Sequence, residues 1–263
     1  MKQDRSPVLP GDGATDYARY MRLEALLVLQ RRPEEMIHRD ELLFQVVHQS
    51  TELWLKLAAA ELIEAVTRLR AGELAATESL LARATLGIRL VTDQLEMFRH
   101  LSPADFQAMQ PALGKGSGAE SPGWRQVQAT SRQLGQAFGE HLEAHGIDPA
   151  LLGQPDPANP VQRLVEALIE WDERVSLWRT RHYQVALRVG GHAPGGAEAT
   201  MLAKLVGYRF FPELWRARLK PTDGSGDESR STVLDNPRSP EIGNPSSPAC
   251  AATEMSRCGS CVN

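Results

Sequence analysis

The feature that most constrains this chain is a long stretch with neither proline nor glycine, which runs from Asp40 to Ala71. Its apolar residues recur at helical spacing, and Gly72 directly after it is a typical helix stop. Such a helix is far longer than the average helix of a globular protein. The stretch therefore predicts the spine of a large helical bundle.

Other segments repeat the helical pattern, and loops separate them. Ser102 and Pro103 are typical of the cap and first position of a short helix. No segment shows the polar–apolar alternation of a strand, and no internal repeat occurs. The predicted fold is therefore all-α, a single-domain bundle with long antiparallel helices. Its other predicted helices are Asp16–Gln30, Thr77–Leu101, Ser102–Gln110, Trp124–His145 and Pro160–Val189, with loops at 111–123 and 190–196 and a shorter helix after the second loop.

Both ends of the chain differ in composition from its middle. Residues 1–13 are rich in proline, glycine and charge and are predicted to form a flexible arm, whereas residues 14–219 form the helical domain. Residues 220–263 are rich in proline, serine, glycine and aspartate, and such a segment buries too little apolar surface to offset its ordering entropy. We therefore predict a disordered C-terminal tail.

Charge and hydropathy exclude several classes of protein. The net charge of −4 provides no basic field for nucleic acid. No apolar run is long enough to span a membrane, and the N-terminus lacks the apolar segment of a secretory signal. All three cysteines lie in the tail, at Cys250 and beyond, so the folded domain has no disulfide. We therefore expect a cytoplasmic protein.

Two of the seven histidines lie within long apolar helix patterns. His48 has Phe44 one turn before it, and His182 has Trp178 one turn before it, so each pair shares a helix face. A neutral imidazole on a helix is a common axial ligand of haem iron. A histidine on an amphipathic helix is, however, more often a boundary residue, so composition alone leaves both interpretations open.

Four segments together resemble the tryptophan 2,3-dioxygenase family, and they occur in the family's order. They cover roughly residues 14–219 and imply an all-helical, haem-dependent oxidoreductase. The resemblance implies haem b as cofactor, an indole or aromatic amino acid and dioxygen as substrates, and a cytoplasmic homotetramer. The four segments are DYARYMRLEALL, similar to the N-terminal substrate-site helix, DELLFQVVHQSTELWLK, similar to the signature helix, WRTRHYQVALRVGG, similar to the helix of the axial histidine, and FFPELWRARL, similar to the closing segment.

The resemblance also implies roles for individual residues. His182 matches the axial ligand of the haem iron, and His48 matches the distal histidine that hydrogen-bonds the substrate's indole N–H. Phe44 matches the aromatic residue beside the distal histidine. Phe106 matches another aromatic residue of the substrate site. Ser117 and Gly118 match a pair in the loop over the haem. The residues that match those reaching a neighbouring subunit's pocket are Tyr17, Tyr20 and Met21.

Two positions depart from the family's pattern. Gln110 occupies the place of the arginine that binds the substrate carboxylate, and Gly196 occupies the place of a threonine that does the same. Loss of an arginine–carboxylate pair costs about 2–5 kcal/mol of binding. Drift in a degenerate paralogue and a changed substrate both fit this departure, and Lys115 is the nearest candidate for a substitute cation.

The leading hypothesis is a haem-dependent oxygenase that inserts oxygen from dioxygen into the indole ring of tryptophan or a tryptophan derivative. Two alternatives stay open. One is a haem-dependent monooxygenase that gives a hydroxylated or oxindole product from a modified aromatic amino acid in natural-product biosynthesis. The other is a haem-binding paralogue without catalytic activity.

Overall fold

The computed structural model describes residues 7–219, except residues 115, 117 and 191–196. The described residues form nine α-helices and no β-strand, so the prediction of an all-α fold is confirmed. The predicted tail at 220–263 lies outside the described residues, and the domain boundaries stay a prediction. The helices are α1 (Asp16–Met21), α2 (Leu23–Leu27), α3 (Glu41–Arg70), α4 (Leu74–Asp93), α5 (Pro103–Leu113), α6 (Pro122–Ala144), α7 (Pro160–Val189), α8 (Ala197–Val206) and α9 (Pro212–Leu219).

Four long helices, α3, α4, α6 and α7, form the bundle. Helix α3 packs against α4 and α6, and α4 packs in turn against α7. A short turn with Gly72 in the left-handed region (φ 78°) reverses the chain between α3 and α4, as the sequence predicts. None of the helices in the described part of the chain has the length and hydropathy needed to cross a membrane. The most deeply buried core residues include Leu55, Leu62, Leu81, Ile88, Leu134, Leu164, Leu168 and Trp171.

A second, smaller apolar cluster lies at the end of the bundle where α3, α5 and α7 meet. Leu43, Phe44, Phe106 and Val185 pack around its buried centre, and Trp178 packs against both this cluster and the main core. Trp178 is therefore the side chain that joins the two apolar regions. The buried centre of the second cluster consists of Val47, Leu95, Phe98, Leu101, Met109 and Val189.

The predicted helix Asp16–Gln30 is wrong in its continuity. Arg22 adopts a left-handed conformation (φ 51°, ψ 39°) and separates α1 from α2. Neither short helix buries a residue, so no packing against the bundle holds one continuous helix across Arg22. Helices this short gain little stability without such packing.

The predicted helix Thr77–Leu101 also differs from the structure at its end. The α-helix stops at Asp93, and Gln94–His100 continue as a 3₁₀ helix. Side chains three residues apart share one face of a 3₁₀ helix. The tighter turn therefore directs Leu95, Phe98 and Leu101 together into the second cluster, where all three are buried.

The short helix α5 begins as predicted and ends later than predicted. The Ser102 hydroxyl accepts a hydrogen bond from the Asp105 N–H (3.1 Å), and Pro103 is the first helical residue. The helix continues through Pro111 to Leu113, so part of the predicted loop 111–123 is helical. Proline lacks a backbone N–H, so Pro111 indicates a helix end in the sequence. The helix nevertheless continues past it to Leu113.

A buried carboxylate attaches the C-terminal segment to α7. Asp172 accepts hydrogen bonds from the Phe210 N–H (2.8 Å), the Phe211 N–H (3.1 Å) and the Trp215 indole N–H (3.1 Å). Burial raises the pKa of Asp172, although these N–H groups act in the opposite direction. Two turns further along α7, Arg179 donates to the Tyr208 carbonyl (2.9 Å). The closing segment is therefore fixed next to the turn of α7 that carries His182.

We expect Asp172→Ala to lower the free energy of unfolding by about 2–4 kcal/mol, because it leaves buried N–H donors without an acceptor. Urea denaturation followed by circular dichroism measures the change. A matched control is Asp93→Ala, which removes only an exposed carboxylate paired with Arg89 (3.7 Å). That variant should stay within about 0.5 kcal/mol of the wild type. Equal effects of the two substitutions would contradict the role given to Asp172.

Candidate active site

Aromatic rings gather around His48 on the second apolar cluster. The Phe44 ring lies 4.1 Å from the His48 ring, centroid to centroid, and the Phe98 ring lies 5.8 Å from both. The Phe106 ring of α5 lies 6.0 Å from that of Phe44. The structure therefore brings together three of the predicted site residues, Phe44, His48 and Phe106, and adds Phe98.

A backbone hydrogen bond fixes the protonation of the His48 ring. His48 Nδ1 lies 2.8 Å from the Phe44 carbonyl oxygen, which only accepts, so Nδ1 carries the proton and donates it. Burial lowers the pKa of His48, while the Phe44 carbonyl and the charge of Glu52 act in the opposite direction. A neutral ring protonated at Nδ1 has a free lone pair on Nε2. His48 is therefore suited to accept a hydrogen bond from a ligand N–H.

Burial keeps the imidazole of His182 neutral. Burial, with a smaller contribution from His48, lowers the pKa of His182 to about 4. Within the described ranges of the chain, neither nitrogen of its ring takes part in a hydrogen bond. The Trp178 ring stacks on it at 4.9 Å between centroids and 13° between planes. A neutral, unengaged imidazole is the form in which histidine binds a metal.

The two histidines lie on different helices, His48 on α3 and His182 on α7. His48 lies close enough to influence the pKa of His182, and both rings retain accessible surface although the surrounding protein disfavours their charged forms. Phe44, Phe106 and His182 are partly accessible, and His48 is exposed. We use the name histidine recess for the accessible surface formed by Phe44, His48 and Phe106 and by His182 beside Trp178.

Unpaired polar atoms mark the same region. In the part of the chain that the structure describes, three buried side-chain polar atoms lack a hydrogen-bond partner, and two of them are the indole nitrogens of Trp124 and Trp178. Such atoms are rare in native proteins because leaving them unpaired costs about 1–3 kcal/mol each. The indole N–H of Trp178, whose ring stacks on His182, therefore fits a site in which a bound group supplies an acceptor.

Sequence analysis missed the contribution of Glu52. This residue follows His48 by one turn of α3 and accepts hydrogen bonds from the Ser121 hydroxyl and from the Gly123 N–H (2.9 Å). Ser121 also caps α6 by accepting from the Trp124 N–H (3.1 Å). A glutamate four residues from a histidine on an apolar helix face is the signal that the sequence offered.

The remaining predicted site residues are less closely gathered. Gln110 is exposed on α5, one turn after Phe106, and Gly118 lies in the exposed 3₁₀ turn Gly118–Glu120. Lys115, Ser117 and Gly196 lie outside the described residues. Tyr17 (65% exposed), Tyr20 (77%) and Met21 (45%) project from α1, so the single chain does not bury them in the histidine recess.

Comparison of the sequence with known proteins identifies a family. The sequence profile of the family "Tryptophan 2,3-dioxygenase" matches residues 3–137, which is just over half of the chain. The chain belongs to the tryptophan 2,3-dioxygenase family. It is a divergent member, and the prediction of an oxidoreductase enzyme of this family is confirmed.

Curated relatives show the extent of the divergence. The tryptophan 2,3-dioxygenase of Xanthomonas campestris pv. campestris (strain B100) is 27% identical over 282 aligned positions, which cover 83% of this chain and 94% of the relative. The tryptophan 2,3-dioxygenase of Myxococcus xanthus (strain DK1622) is 28% identical over 278 positions, which cover 84% and 95%. The similarity therefore extends over nearly the full length of these proteins.

The contact between Glu52 and α6 requires a glycine, which provides a test. A Cβ atom at Gly123 would lie 2.6 Å from Glu52 Oε2 and 2.7 Å from Leu55 Cβ, whereas nothing lies within 4 Å of a Cβ at Gly139 on the same helix. We expect Gly123→Ala to lower the free energy of unfolding by about 1–3 kcal/mol through overpacking. Gly139→Ala should raise it by about 0.5–1 kcal/mol. Chemical denaturation of both variants measures the difference, and a tolerated Gly123→Ala would show that α6 does not approach α3 so closely.

Proposed function

We propose that this chain is a haem-dependent oxygenase that transfers oxygen from dioxygen to the indole ring of tryptophan or a tryptophan derivative. The observation that carries the proposal is the pair of neutral imidazoles, His48 and His182, at one aromatic recess. Among the described residues, His182 has no hydrogen-bond partner on its ring, and His48 presents only an acceptor. A haem ligand needs a free nitrogen lone pair, and a distal substrate-binding histidine needs an acceptor for the substrate N–H.

His182 is the residue that would hold haem b through its iron. Its low pKa keeps the nitrogen lone pair available at neutral pH, and Trp178 supports the ring from one side. The unpaired indole N–H of Trp178 offers a donor to a polar part of the bound group. Bound haem supplies the binding and activation of dioxygen, which the side chains alone do not perform.

The other residues of the histidine recess position the substrate. His48 Nε2 accepts a hydrogen bond from the indole N–H, which fixes the orientation of the ring system. Phe44 and Phe106 are partly exposed and provide apolar surface for an indole ring, and the buried Phe98 ring packs against Phe44. A substrate that covers these rings excludes water from His48, and exclusion of water strengthens the His48 hydrogen bond.

The identity of Gln110 supports a proposal about recognition of the substrate carboxylate. Gln110 lies on the same helix as Phe106, one turn later, and is exposed. A glutamine amide donates and accepts but carries no charge. A substrate carboxylate at this edge lacks the counter-charge that an arginine gives, so a substrate with a masked or absent carboxylate loses less binding energy here.

We further propose that the chain acts as a homo-oligomer, a tetramer as in the family. Helix α1 buries none of its residues, and its aromatic side chains are largely exposed. One side of α3 also leaves apolar residues exposed. Apolar surface of this extent is typical of an interface between subunits. The exposed apolar residues concerned are Tyr17, Tyr20, Met21, Leu42, Val46, Leu53 and Leu57.

We expect His182→Ala to abolish stoichiometric haem binding, because no axial imidazole remains. His48→Ala should keep haem and lower turnover about 5- to 150-fold, which corresponds to one lost substrate hydrogen bond. Haem content is measured from the absorption spectrum, and turnover from incorporation of labelled oxygen into indole substrates by mass spectrometry.

His145→Ala is the matched control for both variants. His145 also bonds its Nδ1 to the carbonyl one turn earlier, that of His141 (2.8 Å), but it is exposed at the end of α6. Its replacement should change neither haem content nor turnover. Loss of haem from His48→Ala with retention in His182→Ala would mean that the two roles are reversed.

We expect Gln110→Arg to strengthen binding of L-tryptophan by about tenfold or more relative to tryptamine, because only the former carries a carboxylate for the new guanidinium. Titration of the haem-loaded protein with both ligands measures the ratio. Ala108→Arg adds the same charge to another face of α5 and should leave the ratio unchanged. A wild type that already prefers L-tryptophan strongly, with no gain from Gln110→Arg, would refute the altered recognition.

A further inference from the structure

Two tryptophan rings pack one after the other on one side of the His182 ring. The Trp178 ring stacks on the imidazole with only 13° between their planes, and the Trp124 ring of α6 packs on Trp178 at 4.0 Å between centroids. Trp124 is 9% exposed and belongs to the main core. The imidazole therefore rests on an aromatic support that reaches into the main core of the bundle.

This support restrains the ring by a contact different from the one that usually orients a metal-bound histidine. Such a histidine commonly donates its second ring N–H to a hydrogen-bond acceptor, and that bond sets the plane of the ring. Among the described residues, no side chain or carbonyl accepts such a bond from His182. The stack on Trp178 is the contact observed here that restrains rotation of the ring.

A carboxylate on the helix of His48 holds the support in place. Glu52 of α3 accepts from the Ser121 hydroxyl and the Gly123 N–H, and these residues form the first turn of α6. Trp124 is the next residue of that turn, and its own N–H bonds to the Ser121 hydroxyl. A shift of Glu52 would therefore move Trp124 and, through Trp178, the plane of His182.

We propose that Trp178 is a positioning residue for His182, and that Trp124 and Glu52 fix Trp178 in turn. The inference rests on the proposed function, in which His182 binds the haem iron. It assigns to Glu52 a link between the two sides of the histidine recess, because the same helix carries His48. Aromatic stacking sets the plane of the ligand ring, and the ring plane in turn affects the bond to the metal.

The test compares Trp178→Phe with Trp178→Leu in the full-length, haem-loaded protein. Resonance Raman spectroscopy of the ferrous state reports the iron–histidine stretching band, and transfer of haem to an excess of apomyoglobin reports its rate of loss. We expect Trp178→Phe, which keeps a stacked ring, to stay close to the wild type in both. Trp178→Leu should shift or broaden the band and speed haem loss about 2- to 10-fold, as expected for one lost aromatic pair. Trp178→Met gives the same comparison if the leucine variant does not fold.

A second comparison tests the link through Glu52. Glu52→Ala should change the iron–histidine band in the same direction as Trp178→Leu, but by less. Glu64→Ala on the same helix removes only an exposed carboxylate paired with Arg68 and should leave the band unchanged. A purely structural role of Glu52 would lower the melting temperature without moving the band, and that result would overturn the link.

Failure of the inference and failure of the proposed function give different results. An unchanged band and an unchanged rate of haem loss in Trp178→Leu, with haem still bound through His182, would overturn the positioning role alone. A wild-type chain that binds no haem, or His182→Ala with the wild-type band, would overturn the proposed function and this inference with it.

Discussion

The packing of α3 against α4 and α6 is the constraint on which the rest of the structure depends. Its buried side, with Leu55, Ala58 and Leu62 among its residues, fixes the rotation of the helix about its axis. That rotation decides where His48 and Glu52 point, since both lie on the same helix within two turns of Leu55. A site built on a continuous helix inherits the rigidity of the core, because the backbone of one residue cannot shift without a shift of its helix.

The sequence predicts the parts of the fold that depend on local patterns. The glycine after α3 and the Ser102 cap of α5 are recognised correctly because each signal acts within a few residues. The break at Arg22 carries no such signal, since it follows from the absence of packing partners for α1 and α2. The sequence also has no local signal for the 3₁₀ helix after Asp93, because this helix depends on the packing of Leu95 and Phe98 against residues distant in the sequence.

The candidate site shows the same division. Phe44 and His48 were predicted together because they lie one turn apart, and the structure adds the hydrogen bond that fixes the His48 tautomer. The contact between Trp124 and Trp178 joins residues from different helices, and no spacing in the sequence indicates it. The role of Gln110 was predicted from family resemblance and not from a contact, because this residue is exposed on α5.

The hydrogen bond between His48 Nδ1 and the Phe44 carbonyl has a consequence for inhibitor chemistry. A ring nitrogen that only accepts hydrogen bonds selects ligands that carry a donor at this position, whatever their shape. Under the proposed function, benzofuran and benzothiophene isosteres of an indole would fill the same space but would set an oxygen or sulfur lone pair against the lone pair of Nε2. Such molecules would bind less tightly, because burial of an unpaired acceptor costs free energy. A ligand designed to bind tightly should instead present an acidic N–H, as an indazole or benzotriazole does, at the position of the pyrrole nitrogen.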